Sequence, residues 1–263
     1  MRTAARLARP VTALGWGAFK IGRNEGAKYP ESYALPSEDE SVQFTHDVID
    51  MGVRVIDTAP AYGLSEERIG RALLELPPSV REEIFLSTKA GETFAQSKSS
   101  FDFSYEAITR SVMASLARLR TNRIDLVWVH SDGSDLEILR AGTVLRALDD
   151  LKRGGLVAAI GFSPKSIAGA HAATTHECID ALMIELHPSA HAEADGQSAL
   201  LERAGELGVG VFVKKPLASG RLDPRGALPT ILAHPQVTCV VVGGLSRSRM
   251  IENVSIVRAC AAS

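Results

Sequence analysis

Short apolar runs rich in valine and isoleucine recur along this chain, and a longer stretch with helical periodicity follows each of them. The runs occupy residues 53–59, 84–90, 125–130, 158–163, 181–187, 209–217 and 237–244. Their nearly continuous hydrophobicity is typical of parallel strands covered on both faces, because strands with one face in solvent alternate apolar and polar residues. The pattern therefore predicts an α/β fold with a parallel sheet.

A weaker run at residues 14–18 brings the number of predicted strands to eight, which closes a (β/α)₈ TIM barrel without leaving a sheet edge. The residues expected to face the sheet from the outer helices are Ile108, Val112, Leu116 and Leu119 on one face, and Ile138, Ala141, Leu145 and Leu148 on another. The chain has 263 residues, a length that suits one barrel domain over residues 1–263.

An open doubly wound sheet is the structural alternative. It usually carries a glycine-rich turn after its first strand, and the spacing of Gly15, Gly17 and Gly22 does not match that fingerprint. In a barrel, the stretches 23–38 and 91–103 are predicted to be long loops at the mouth, where barrel enzymes build their substrate contacts.

The formal net charge is −2 with both signs spread along the chain, so no basic stripe favours nucleic acid or an anionic membrane. A small-molecule partner is expected instead. No run of about 18 apolar residues predicts a membrane span. Four histidines, His171, His176, His187 and His191, lack a spacing with carboxylates that would suggest a metal site.

The composition predicts a cytoplasmic protein. Cys178, Cys239 and Cys260 are odd in number and widely spaced, which argues against a disulfide framework. Residues 1–10 carry three arginines and lack the apolar stretch of a secretory signal, although a short targeting role for these arginines is an open alternative.

Ionisable residues stand at the carboxyl ends of three successive runs. Asp57, Lys89 and His130 close their runs, and Tyr62 follows Asp57 closely. Alone, each has an ordinary structural explanation as a cap, a solvated lysine, a hydrogen-bonded histidine or a turn residue. In a barrel, however, these ends share one mouth, so the four side chains are expected to converge. Charges gathered in a buried mouth are costly unless they pair or take part in chemistry.

These residues lie within a longer pattern that resembles the aldo-keto reductase family. The residues that carry the resemblance are Asp57-Thr58-Ala59, Tyr62-Gly63, Ser65-Glu66, Ile69-Gly70, Ala72-Leu73, Ser87-Thr88-Lys89, Asp125-Leu126, His130, Ile160-Gly161-Phe162-Ser163, Arg249 and Glu252-Asn253. The resemblance implies an NAD(P)-dependent oxidoreductase that reduces a small aldehyde or ketone, or oxidises the alcohol. By resemblance, Asp57, Tyr62, Lys89 and His130 match the family's catalytic tetrad.

The chemistry of these four side chains is consistent with that implied role. A tyrosine hydroxyl has a reference pKa of about 10 and donates its proton poorly at neutral pH unless its anion is stabilised. Lys89 is expected to stabilise this phenolate, and Asp57 to keep Lys89 charged. His130 is expected to hydrogen-bond the substrate oxygen or to assist proton transfer.

The resemblance also implies a cofactor, NADP with NAD as the alternative, extended across the mouth. The residues at the family's cofactor-binding positions are Ser163, Glu185, Lys214, Leu217, Ser219, Gly220, Ser246, Arg249, Glu252 and Asn253. Ser246 and Arg249 stand at a predicted helix start, where free N–H groups and a guanidinium favour a 2′-phosphate. The alternative is that Ser246 is only an N-cap and that the arginine is solvated.

Three positions depart from the family pattern at the nicotinamide. Pro164 replaces an asparagine, and Glu185 replaces a glutamine. After the seventh strand the family usually has an aromatic residue that stacks beneath the nicotinamide ring, whereas this chain has Lys214 in that stretch. We expect unusual cofactor binding and a compensating pair between Glu185 and Lys214. The chain ends at Ser263, where many relatives carry a further loop, so an open and less selective substrate site is expected.

Two other functions compete with the reductase. The altered nicotinamide bed favours a regulatory or sensor module that binds the nucleotide without turnover, but such a module has no need of the complete tetrad. A Schiff-base lyase that uses Lys89 as its amine is the second alternative.

Overall fold

Eight parallel strands close into a barrel, as the spacing of the apolar runs predicts. The computed structural model describes residues 1–26, 32–188 and 194–262. The barrel strands are β1 (Leu14–Gly17), β2 (Val55–Asp57), β3 (Phe85–Ala90), β6 (Ile124–His130), β7 (Val157–Ser163), β8 (Ala181–Glu185), β9 (Gly210–Lys214) and β10 (Val237–Gly243). They pair in the order β1-β10-β9-β8-β7-β6-β3-β2. The predicted α/β class and TIM barrel are confirmed.

Helices cover the outside of this barrel. The described ones are α1 (Glu38–Asp50), α2 (Ser65–Leu74), α3 (Pro78–Glu83), α4 (Tyr105–Arg118), α5 (Asp135–Ala141), α6 (Thr143–Arg153), α7 (Ile167–Thr174), α8 (Ala194–Glu206), α9 (Pro224–Leu232) and α10 (Arg247–Ala262). In the described ranges, no helix is both long and apolar enough to cross a membrane.

The stretch 23–38, expected to be a loop, ends where α1 begins. Ser37 caps this helix by accepting from the amide of Glu40, and the Glu40 side chain accepts from the amide of Ser37 in return. This reciprocal pair satisfies two amide groups that the helix itself cannot use. Residues 27–31 of the predicted loop lie outside the described residues.

The second helical face predicted from the sequence is divided between two helices. Ile138 and Ala141 belong to α5, whereas Leu145 and Leu148 belong to α6. Gly142 separates them in the left-handed conformation, with φ of +66°. A glycine adopts this conformation without steric cost and so ends α5, although the apolar spacing continues through it.

The predicted loop at 91–103 contains a hairpin that the sequence analysis missed. Its strands are β4 (Glu92–Ala95) and β5 (Lys98–Phe101), which pair antiparallel. Gln96 and Ser97 form the turn with φ of +51° and +60°. Two positive φ values are typical of a two-residue hairpin turn, but its usual sequence is Asn-Gly or Asp-Gly, so Gln-Ser gave no signal.

The interior of the barrel forms a core of its own, closed at the bottom by the N-terminal segment. Phe85, Trp128 and Phe212 pack together inside the barrel. Leu7 and Val11 join this cluster from below. The barrel is therefore packed and closed at its floor, and its open face is the mouth at the carboxyl ends of the strands.

The arginines at the N-terminus contribute to this floor. Arg2 pairs with Val11 in an isolated antiparallel bridge. The guanidinium of Arg2 donates to the carbonyl oxygens of Leu232, His234 and Val237. These contacts give Arg2 a structural role at the floor of the barrel.

Candidate active site

The register of three neighbouring strands brings the predicted tetrad to one end of the barrel. Asp57 is the last residue of β2, Lys89 the last but one of β3, and His130 the last of β6. Asp57 is in register with Ser87, and Lys89 with Trp128. Because the strands are parallel, their carboxyl ends share the mouth, as the sequence predicts.

Asp57 and Lys89 form a buried ion pair. Lys89 Nζ lies 2.5 Å from Asp57 Oδ2, and the two side chains are 3% and 5% exposed. The other carboxylate oxygen accepts from Ser87 Oγ at 2.8 Å and from Trp128 Nε1 at 3.1 Å. The carboxylate is therefore fully bonded, which offsets the cost of burying its charge.

This pairing holds Lys89 in its charged form. Burial alone would lower the pKa of Lys89, but Asp57 and then Tyr62 outweigh it, so that the pKa lies above its ordinary value. The Nζ group also donates to the carbonyl oxygen of Thr58 at 2.9 Å. A Schiff base requires a neutral amine, so the ion pair argues against the lyase alternative.

Tyr62 is positioned beside this lysine by a 3₁₀ turn, Pro60–Tyr62, that follows β2. Lys89 Nζ lies 4.9 Å from the centroid of the Tyr62 ring, and Phe19 packs edge-on against the same ring at 5.0 Å. Burial is the largest influence on the pKa of Tyr62 and raises it, whereas the charge of Lys89 lowers it in opposition.

Two glycines allow the Tyr62 turn to approach its neighbours. A methyl group at Gly22 would lie 2.1 Å from the carbonyl oxygen of Tyr62 and 2.2 Å from the amide nitrogen of Ser65. Gly63 has φ of +59°, and a methyl group added there would lie 2.4 Å from the carbonyl oxygen of Gly22. The backbone around Tyr62 is therefore packed so closely that neither position has room for a side chain.

His130 lies beside a carboxylate that the sequence analysis did not identify. Its Nδ1 is 2.7 Å from Glu92 Oε2, a short contact without good hydrogen-bond alignment. Glu92 is the first residue of the hairpin that was not predicted. The one sequence signal for its place at the mouth is its position three residues after Lys89. Burial tends to raise the pKa of Glu92, but His130 and Ser99 lower it to about 2.

The expected pair between Glu185 and Lys214 is wrong. Glu185 and Lys214 are in register on β8 and β9, but Glu185 Oε2 lies 2.5 Å from Lys215 Nζ instead. Lys214 donates to Ser163 Oγ at 2.9 Å and to the Pro164 carbonyl oxygen at 3.3 Å. Lys215 has φ of +51°, so the chain turns sharply at the end of β9 and redirects its side chain toward Glu185.

Burial in the rim also changes the titration of Lys214. Burial, followed by the charge of Lys215, lowers the pKa of Lys214 to about 8. A half-buried cation in the predicted nicotinamide bed therefore loses its charge near the upper end of the physiological range.

The residues predicted to hold the cofactor lie in two segments after β9 and β10. Leu217, Ser219 and Gly220 belong to a loop in which Ser219 and Gly220 have φ of +61° and +92°. Ser246 Oγ accepts from the amide of Arg249 at 3.3 Å and so caps α10. Ser246 therefore has the N-cap role that was the alternative to phosphate binding. This hydrogen bond uses only the backbone amide of Arg249, so the guanidinium group stays available for a ligand.

The exposed face at the start of α10 fits a phosphate. Arg249 is exposed, and in the described part of the chain its guanidinium has no carboxylate partner. Glu252 is a predicted adenine contact, but its carboxylate already pairs with Arg225 at 2.8 Å. Asn253 is buried, at 6% exposure.

No cluster of three or more metal-ligating side chains occurs among residues 1–26, 32–188 and 194–262. His191 lies outside the described residues.

Comparisons with known proteins agree on one family. The profile of the aldo/keto reductase family matches residues 13–230. The chain is 27% identical to L-galactose dehydrogenase of Arabidopsis thaliana, over 98% of this chain and 88% of that protein. A Pseudomonas aeruginosa protein assigned to the aldo-keto reductases is 36% identical, with a TM-score of 0.86, covering 99% of this chain and 95% of that one.

A more distant structure shares the fold. An aldo-keto reductase from Klebsiella pneumoniae in complex with NADPH superposes with a TM-score of 0.73 at 20% identity, covering 98% of this chain and 90% of that one. The barrel, the family profile and the two closer relatives together identify the chain as a member of the aldo/keto reductase family of oxidoreductases.

Proposed function

We propose that this protein transfers hydride between NADP(H) and a small aldehyde, ketone or alcohol, with Tyr62 as its acid–base group. The observation that carries the proposal is the buried pair of Lys89 and Asp57, whose amine lies 4.9 Å from the Tyr62 ring centroid. A charged amine at this position stabilises the phenolate that remains when the hydroxyl gives up its proton.

Different residues of the mouth have different roles in the proposed reaction. In the reduction, the Tyr62 hydroxyl gives its proton to the substrate oxygen, and in the oxidation the phenolate takes a proton from the substrate hydroxyl. His130 contacts the same oxygen and orients it. When bound, a nicotinamide cofactor would supply or accept the hydride.

Arg249 and the amino end of α10 are the proposed contacts of the 2′-phosphate. A guanidinium fork suits a phosphate, and the free N–H groups of a helix start favour an anion. This favours NADP, with NAD as the alternative. The loop with Ser219 and Gly220 is the proposed contact of the pyrophosphate, and Lys214 and Ser163 lie where the nicotinamide is expected.

The first test replaces Tyr62 by phenylalanine. We expect kcat for carbonyl reduction to fall by about 10² to 10⁴, the usual contribution of a general acid. Tyr105→Phe is the matched control, because Tyr105 donates to Asp150 on the outer helices. Sugar aldehydes belong among the substrates to be screened, since the Arabidopsis relative is an L-galactose dehydrogenase. Equal activity of wild type and Tyr62→Phe would contradict the proposed role.

The second test follows NADPH fluorescence during titration. Arg249→Ala is expected to weaken NADPH binding by about tenfold or more and to leave NADH binding nearly unchanged, because only NADPH carries the 2′-phosphate. Arg203→Ala is the control, since Arg203 pairs with Glu206 on α8. Tight NADPH binding without turnover of any carbonyl would favour the sensor module over the reductase.

A further inference from the structure

The side chain of Lys214 reaches past β8 to the end of β7. Lys214 ends β9, and β8 lies between β9 and β7 in the barrel. Its Nζ donates to Ser163 Oγ, at the end of β7, at 2.9 Å and to the carbonyl oxygen of Pro164 at 3.3 Å. Besides burial, which is the largest influence, the charge of Lys214 lowers the pKa of His130. The ammonium group of Lys214 therefore faces the same mouth as the proposed catalytic residues.

The hydrogen-bond partners of Lys214 are neutral, unlike those of two other lysines of the mouth. Lys89 pairs with Asp57, and Lys215 pairs with Glu185. Among the described residues, no carboxylate forms an ion pair with Lys214. A hydroxyl and a carbonyl oxygen solvate an ammonium group, but they leave its charge without a counter-ion. Lys214 thus adds an uncompensated positive charge to the mouth.

The groups that act on Lys214 come from several elements of the rim. Burial is the largest influence on its pKa and lowers it, the charge of Lys215 lowers it further, and Glu185 opposes them. Smaller lowering effects come from Lys89 on β3 and from Lys165 after β7. The resulting pKa is about 8, so Lys214 is mostly charged at pH 7 and mostly neutral at pH 9.

The two redox forms of a nicotinamide cofactor differ in charge at the ring. The oxidised ring is a cation, whereas the dihydro ring is neutral, and the rest of the cofactor is the same in both forms. Contacts to the phosphates and the adenosine therefore contribute equally to both affinities and cancel in their ratio. A cation beside the ring disfavours only the oxidised form, because like charges repel strongly in a partly desolvated site.

We propose that Lys214 makes the mouth select the reduced, neutral nicotinamide over the oxidised, cationic one. The proposal rests on the proposed function, because it takes a nicotinamide as the ligand. The ammonium group repels the ring of NADP⁺ and leaves the affinity for NADPH nearly unchanged. NADPH therefore occupies the site even when NADP⁺ is present at a similar concentration, and this occupancy favours reduction of the carbonyl over oxidation of the alcohol.

The first experiment measures the dissociation constants of NADP⁺ and NADPH by calorimetry at pH 7. Lys214→Met, which removes the charge and keeps the length of the side chain, is expected to bind NADP⁺ about five- to tenfold more tightly than the wild type. Its affinity for NADPH is expected to stay within threefold. Lys165→Met is the matched control, because Lys165 is an exposed lysine of the same rim that donates to the Asp132 carbonyl oxygen at 3.2 Å. This control should change the ratio of the two constants by less than twofold.

The outcomes of this experiment separate the inference from the proposed function. Binding of neither nucleotide to the wild type contradicts the proposed function, and the inference falls with it. Binding of both nucleotides with the same ratio of constants in the wild type and in Lys214→Met contradicts the inference alone. An equal change of the ratio in Lys165→Met also contradicts it, because the effect would then belong to any cation of the rim.

A pH series on the wild type tests the same charge without a substitution. As the pH rises from 7 to 9, Lys214 loses its proton, so the ratio of the NADP⁺ to the NADPH dissociation constant is expected to fall at least threefold. In Lys214→Met the ratio is expected to stay constant over this range. Binding of NADP⁺ to the wild type at pH 7.5 should also release more protons than binding of NADPH, as measured by calorimetry in two buffers of different ionisation enthalpy. A ratio that does not change with pH in the wild type overturns the inference.

Discussion

At the scale of single residues, the charge of Lys89 is the property on which the rest of the mouth depends. Asp57 favours this charge in a site where burial alone would lower the pKa of Lys89. The carboxylate is itself fixed by Ser87 and Trp128. Loss of one partner from such a buried pair leaves an uncompensated charge, which is far more costly than loss of a surface pair.

Asp57→Asn tests this dependence. We expect the free energy of unfolding to fall by about 3 to 5 kcal/mol, because the Lys89 ammonium loses its buried counter-ion. Urea denaturation at pH 7 measures the change. Asp149→Asn removes an exposed carboxylate that pairs with Arg153, and it is expected to cost less than about 1 kcal/mol. Similar losses of unfolding free energy in the two variants would show that the buried pair contributes no more to stability than the surface pair.

Lys214 provides a prediction about pH. Its folded-state pKa of about 8 lies below the ordinary value of 10.5, so the fold disfavours the charged amine. That cost is fully present below pH 8 and disappears as the pH rises from 8 toward 10.5, where the unfolded chain also loses its proton. Over this range the wild type should gain roughly 1 to 3 kcal/mol relative to Lys214→Met, as measured by urea denaturation. A constant difference between the two proteins would show that the pKa of Lys214 is not lowered.

Sequence reasoning located the tetrad residues because each stands at or just beyond the end of a strongly apolar run. It did not locate Glu92, since a glutamate in a polar stretch has no pattern that distinguishes it from a solvated one. It paired Glu185 with the wrong lysine, because strand register places backbones opposite each other but does not fix where a side chain beyond a sharp turn will point.

At the scale of elements, the turn that carries Tyr62 depends on the close approach of two backbone segments. Gly22 ends the short helical turn Ala18–Ile21 and lies against the Tyr62–Ser65 backbone. Neither segment has a flexible side chain at the contact that could move aside. The position of the Tyr62 hydroxyl thus depends on a residue forty positions earlier in the chain that has no chemistry of its own.

Gly22→Ala is therefore expected to damage activity through the backbone. Its methyl group would lie 2.1 Å from the Tyr62 carbonyl oxygen, so the turn must shift, with a loss of about 2 kcal/mol or more and at least a tenfold lower kcat. Gly226→Ala on α9 is the control, because nothing lies within 4 Å of the added atom. That variant is expected to be neutral or slightly stabilising. Thermal unfolding and initial rates, measured on both variants, check the prediction.

The elements that the sequence predicted best are those with long, uniform signals. All eight barrel strands fall at their predicted runs, since buried parallel strands must be apolar throughout. The β4–β5 hairpin is half exposed and turns through Gln96 and Ser97, so neither its composition nor its turn was distinctive. The break at Gly142 was missed because an apolar period continues from one helix into the next.

At the scale of the whole molecule, the barrel is closed from below by a segment distant from the mouth. Arg6 donates to the carbonyl oxygens of His176, Ile179 and Leu207, and so joins the floor to the turns before β8 and β9. Bonds from a charged donor to buried carbonyl groups are worth more than neutral ones. We therefore expect the floor to contribute to stability and to leave the chemistry proposed for the mouth unaffected.

Arg6→Ala should reveal this separation. We expect a loss of roughly 1 to 3 kcal/mol and a Tm lower by about 5 °C, with kcat within twofold of the wild type. Calorimetry and initial rates on the same preparation give both values. Arg140→Ala, at an exposed position of α5, is the control and should leave Tm unchanged within about 1 °C. A large fall in kcat without a fall in Tm would show that the floor and the mouth are coupled.

The same floor has a consequence for the order of events during translation. Leu7 and Arg6 leave the ribosome early, but their partners at residues 176–212 are synthesised much later, and the partners of Arg2 at residues 232–237 follow those. At about 5–20 residues per second, the interval between them is on the order of ten seconds or more. Throughout this interval the core around Leu7 is incomplete, so we expect the first apolar residues of the nascent chain to stay exposed until most of the barrel has been made.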